Sequence, residues 1–146
     1  MKKHVILTVK AVQTMPDTEA NTMELVTEGD FYKKGDTYYI AYKESEVTGL
    51  AGTTTTLKVA GDIVTLIRYG SVNSRFIFER GQKNMSYYDT PDGAFTLAIS
   101  TSEVGIKLND EGGSVKVVYS IEIDGGKLGD NEFILEIRET GSSEQK

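Results

Sequence analysis

The chain of 146 residues has no cysteine, no tryptophan, one histidine, two prolines and four arginines. Without cysteine, disulfides and thiolate metal sites are excluded, and nothing marks an oxidising compartment. The lone His4 leaves Ser–His, Cys–His and multi-histidine zinc designs without parts. It shares a face with Ile6, Thr8 and Lys10, opposite Val5, Leu7 and Val9, and is expected to be solvated. Basic residues are outnumbered, 16 Lys and Arg against 22 Asp and Glu, for a formal charge of −6. A phosphate backbone needs a basic footprint, so no nucleic-acid partner is expected. No stretch approaches the roughly 18 apolar residues of a membrane span. The start, MKKHVILTVK, has a basic front end, but its apolar run is only about six residues long and Lys10 ends it, so a cytoplasmic protein is expected.

With 38% hydrophobic residues and 15 glycines against two prolines, the chain is too apolar for disorder and too rich in turn formers for a helical fold. Its length fits one domain with a real core. Apolar residues alternate almost throughout, the period-two signature of half-buried strands. In SVKVVYSIEID, Val115, Val117, Tyr119, Ile121 and Ile123 share one face, and Lys116, Ser120, Glu122 and Asp124 the other. Val5, Leu7 and Val9 near the start, and Phe133, Leu135 and Ile137 near the end, read the same way. Turn formers recur at Lys34-Gly35-Asp36, Gly61-Asp62, Gly70 to Asn73, Gly81-Gln82, Pro91-Asp92-Gly93, Gly112-Gly113 and Asp124 to Asp130. EVTGLAG (46–52) lacks alternation and suits a helical turn or long loop. This pattern predicts an all-β domain over 1–140, followed by a polar tail at 141–146. The architecture is a single closed, antiparallel up-and-down barrel of about eight to ten strands, or alternatively a sandwich; a serial meander with no long crossover favours the barrel.

Four phrases occur in order: GDFYKKGDTYYIAYKE (29–44), TTLKV (55–59), VTLIRYG with FIFERG (64–81), and YDTPDGAF (88–95). Together they resemble the YwiB-like family of small bacterial proteins, a domain of unknown function with a calycin-type, lipocalin-like β-barrel. The resemblance implies a closed antiparallel barrel and a cytoplasmic setting, and carries no catalytic residues. The Gly-x-Trp signature of true lipocalins is missing here, so their ligands are not inherited.

The acids lie mostly in turns or on polar faces, which speaks against a carboxylate pair and an enzyme. The acidic turns LNDEGG (108–113) and EIDGGKLGD (122–130) lack the ligand spacing of an EF-hand loop, and no metal or cofactor is expected. Tyrosine is more informative: Tyr38, Ile40 and Tyr42 alternate on one face, so some hydroxyls point inward and need partners. Three of the four arginines, Arg68, Arg75 and Arg80, fall in TLIRYGSVNSRFIFERG (65–81). A four-residue loop, Gly70 to Asn73, would place Arg68 opposite Arg75. A one-residue slip that pairs Arg68 with Phe76 would instead put Arg68 on the face of Phe76 and Phe78. An inward Arg68 must have a partner. These residues predict a non-enzymatic barrel binding a small amphiphilic or anionic ligand. Arg68 is the expected anchor, with Arg75 auxiliary, Tyr88 and Thr90 as polar neighbours, and Phe78 in the apolar wall. The alternative is a filled structural or protein-interaction module, with a homodimer as one form of it.

Overall fold

Strands with one dry side need a closed surface on which to bury it, and the chain makes one by a serial meander. The computed structural model describes residues 2–15 and 19–139, and these form ten strands. In chain order they are β1 (Lys2–Thr14), β2 (Asn21–Lys34), β3 (Thr37–Lys43), β4 (Thr53–Ala60), β5 (Ile63–Gly70), β6 (Asn73–Phe78), β7 (Lys83–Thr90), β8 (Gly93–Asn109), β9 (Gly112–Ile123) and β10 (Gly126–Glu139). Each pairs antiparallel with its neighbours in sequence, and β1 pairs with both β2 and β10, so the sheet is a closed barrel rather than a sandwich. The expected tail at 141–146 lies outside the described residues.

The alternation read from the sequence is the inside–outside alternation of this barrel. Val5, Leu7 and Val9, Ile40, Leu57, Leu66, Val115 and Val117, and Leu135 are buried in one core. The outer wall is charged: Lys83 meets Glu122 at 2.9 Å, and Lys116 meets Glu103 at 3.3 Å and Glu132 at 3.5 Å. Exposed pairs of this kind steer register and solubility more than stability. His4 is exposed on that wall beside Glu28 and Asp30, whose hydrogen bonds raise its pKa. Among the described residues, no helix is long and apolar enough to cross a membrane.

The segment without alternation becomes a 3-10 turn, Glu46–Thr48, in which the Val47 amide donates to the Ser45 hydroxyl oxygen. Both acidic segments close hairpins. Asp110 takes the Tyr38 hydroxyl at 2.8 Å, and Asp124 and Gly125 both have positive φ, 52° and 81°, the backbone of a tight two-residue turn.

The wall is uneven. The β6–β7 ladder runs only through Asn73↔Asp89 and Ser74↔Tyr88, whereas β1–β2 is continuous from Lys2↔Tyr32 to Gln13↔Asn21. The connection after β6 is tied elsewhere: Gly81 donates to the Thr101 carbonyl at 2.8 Å, and Thr101 donates to that of Gln82 at 3.1 Å. That anchors the turn to β8 and lets β6 and β7 splay. Strand edges without a ladder partner exchange their amides more readily. Amides of Phe76–Phe78 and Ser86–Tyr87 that point across this seam should exchange at least about tenfold faster than those of β1–β2. Equal protection by hydrogen-exchange NMR would contradict the splay.

Candidate functional site

The odd-to-even connections of a meander gather at one end of the barrel, and the β3–β4, β5–β6, β7–β8 and β9–β10 turns lie there. The hairpin between β5 and β6 decides what points inward at that end. Its last ladder pair is Arg68↔Ser74, preceded by Leu66↔Phe76 and Val64↔Phe78. Five residues, Tyr69 to Asn73, therefore separate the paired strands, not four. The register is displaced by one residue in the opposite direction to the slip considered from the sequence, but with the same parity, so Arg68 faces inward.

Local chemistry fixes that register. Asn73 takes the Gly70 amide through Oδ1 at 3.2 Å and donates from Nδ2 to the Gly70 carbonyl at 3.0 Å. The Val72 amide donates to Thr53 Oγ1 at 3.3 Å, and that of Ser71 to the Gly52 carbonyl at 3.3 Å. Gly70 itself has φ +133°, and a Cβ there would stand 2.2 Å from the Gly52 carbonyl oxygen. Only glycine lets these two segments approach so closely.

Inside the end so formed is a cavity of about 400 Å³. Phe76, Phe95, Leu97, Ile121, Ile123 and Leu128 make most of its wall, and Arg68, Tyr88, Tyr119 and Gln13 supply its polar groups. The rings interlock: Tyr88 lies 6.1 Å from Phe76, and Phe78, beneath, lies 6.4 Å from Phe76 and 4.6 Å from Tyr119. Farther along the same strands the interior is filled by Phe78, Leu66, Ile99 and Val117. The barrel is thus solid at one end and hollow at the other.

Arg68 is the charged residue of this lining, with 17% of its side chain exposed. Its Nε is buried without a hydrogen-bond partner. The nearest carboxylate is Glu44, whose Oε2 lies 3.8 Å from Nε and whose side chain is 2% exposed. That distance is too long for a hydrogen bond but close for opposite charges. Thr55, opposite Arg68 on β4, donates its hydroxyl to the same Glu44 oxygen. Burial first, then the Glu44 charge, push the Tyr42 hydroxyl well above its ordinary pKa. Burial likewise raises that of Tyr119, opposed by Arg68. Both phenols therefore stay protonated at neutral pH. Ser74, across the ladder from Arg68, has a buried hydroxyl with no partner.

Of the five residues singled out from the sequence, Arg68 and Tyr88 come together in the cavity. Phe78 is fully buried in the core below it. Arg75 pairs with Ile67 on the outer face and is exposed, so it does not reach the site. Thr90 holds the β7–β8 turn: its hydroxyl accepts from the Asp92 amide at 3.1 Å and donates to the Gly93 carbonyl at 2.9 Å. Sequence reasoning missed Glu44 by treating the acids as turn or surface residues. The signal was present, since Glu44 is the next step of the Tyr38, Ile40, Tyr42 alternation, carried past the end of β3 by the hydrogen bond its amide donates to the Thr53 carbonyl at 2.8 Å.

A meander closed on itself, solid at one end and holding an aromatic cavity at the other, defines a small β-barrel with an internal half-open cavity. The chain belongs to the family described as a domain of unknown function, DUF1934, whose model matches residues 7–135. It is 25% identical over 124 residues to the uncharacterized β-barrel protein YwiB of Bacillus subtilis (strain 168), covering 84% of this chain and 86% of that one. The crystal structure of the ywiB protein from Bacillus subtilis superposes with a TM-score of 0.74 at 24% identity, over 92% of both chains. The family resemblance and the barrel expected from the sequence are both borne out; at that identity the structural match speaks for the fold alone.

Removing one partner of a buried ion pair strands the other. Arg68→Ala should therefore destabilise the protein by about 3 kcal/mol, and Arg68→Met combined with Glu44→Leu should recover that loss or more. Denaturant midpoints measure both. A loss within about 0.5 kcal/mol for Arg68→Ala would place the side chain in solvent.

Proposed function

We propose that the protein is a non-enzymatic binding barrel that holds a small amphiphilic molecule in the cavity, apolar body against the aromatic wall and polar head on Arg68. The observation that carries this reading is a largely buried arginine, its Nε without a hydrogen-bond partner among the described residues, on the wall of an otherwise uncharged cavity. Such pockets bury an apolar body and orient it with a few placed polar groups. Burying the guanidinium charge is costly, and a ligand acceptor on its terminal nitrogens offsets part of that cost. The volume of about 400 Å³ exceeds the roughly 300 Å³ below which small-molecule pockets are uncommon. It also counts against a filled barrel.

A second reading, a protein-interaction module, is favoured by one observation. Tyr69, Met85 and Tyr87 are 76%, 66% and 62% exposed and lie on the outer face of β5 and β7, beside Arg75. A dimer by light scattering that dissociates on Tyr87→Lys would support it, and a monomer would remove the dimer form.

Native mass spectrometry of protein purified from its own host tests the first reading. A small molecule should travel with the wild type and be lost from Ile121→Trp, which fills the cavity from β9 while the circular dichroism stays that of the barrel. A wild type without any adduct, and without affinity for added amphiphiles, would overturn it.

A further inference from the structure

A carboxylate stands behind the arginine, and this constrains the charge of whatever the cavity holds. The inference rests on the reading that the cavity takes a small amphiphile, and adds which head group it accepts. Among the described lining residues Arg68 alone carries charge. Glu44 does not line the cavity, yet its Oε2 is 3.8 Å from Arg68 Nε and takes no hydrogen bond from it, so Nε stays without a partner. Thr55, opposite Arg68 on β4, donates to that same oxygen and so orients Glu44. Tyr42 and Tyr119 stay uncharged. The wall is therefore one cation in front and one anion just behind it, neutral as a pair.

A head group with one negative charge gains a charge-assisted, bidentate contact with the guanidinium and meets Glu44 only at longer range. A doubly charged head doubles its attraction to Arg68 and its repulsion from Glu44 alike, but the cost of taking its charge out of water rises more steeply than the charge, and no second lysine or arginine among the described residues lines the cavity to offset that cost. Juxtaposed like charge is a common way for a site to reject near neighbours of its ligand. We propose that Glu44 is a specificity-determining residue that restricts the ligand to amphiphilic monoanions, best matched by a carboxylate on Arg68, and excludes phosphate monoesters with the same tail.

Titration calorimetry at pH 8 tests this with four probes sharing one tail: octanoate, octyl phosphate, octyl methyl phosphate and 1-octanol. Wild-type protein should bind octanoate at least about tenfold more tightly than the dianionic octyl phosphate or the neutral alcohol. Octyl methyl phosphate, with a single charge, should also bind more tightly than octyl phosphate, which separates charge from head-group shape without any variant. Glu44→Gln keeps an acceptor for Thr55 and removes the charge, so the ratio of octanoate to octyl phosphate affinity should fall by about tenfold. Octyl phosphate binding as tightly as octanoate to the wild type, or an unchanged ratio in folded Glu44→Gln, would overturn the proposal. Octanol binding as well as octanoate would overturn it too, while leaving the cavity reading intact. Failure of all four probes to bind would remove the cavity reading and this inference with it.

Discussion

Arg68 and Glu44 face each other across 3.8 Å on the inner side of a β-barrel, where either charge alone would be costly. Taking two charges out of water costs several kcal/mol per ion before their attraction returns anything. Here the return is incomplete, because the pair forms no direct hydrogen bond and Arg68 Nε is left unsatisfied. A pair of well-packed apolar side chains would serve stability at least as well. The arrangement makes sense as something other than a staple. It costs stability in the empty barrel and gives the cavity a polar end.

The local architecture serves that pair. The β5–β6 hairpin and the segment between β3 and β4 lean on one another through Ser71, Gly52, Val72 and Thr53. Gly70 is the point of closest approach. This contact sets the parity of β5 and β6, and so turns Arg68 inward, while the start of the same β3–β4 segment delivers Glu44. One register thereby positions both charges. The aromatic wall follows from the same parity, because Phe76, Tyr88 and Tyr119 occupy inward positions on β6, β7 and β9.

Much of this was legible in the sequence, and what was not has a physical reason. Alternation in strands such as Ser114 to Ile123 gave the barrel, since the pattern records which side is dry. The inward parity of Arg68 was one of two open alternatives. The connection length could not be read, because Asn73 closes the turn by side-chain bonds to Gly70 that no turn-residue rule anticipates. Arg75 was grouped with the site because a four-residue loop would set it opposite Arg68, but the observed register sets it opposite Ile67 on the outer face, and Thr90 is occupied by its own turn. Glu44 was hidden by residue type: acids are almost never fully buried unless paired, and its partner is 24 residues away in the chain. The family match extends over most of these elements, and the YwiB crystal structure shares the fold.

The most direct measurement is NMR of the arginine Nε–H groups, which separates one side chain from three others. Arg75, Arg80 and Arg138 are exposed, and their Nε protons should exchange rapidly with water. The buried Arg68 Nε–H should give a single slowly exchanging resonance, and octanoate should shift it. Four arginines exchanging alike, with none responding to the added carboxylate, would contradict an inward Arg68 as the anchor of the cavity.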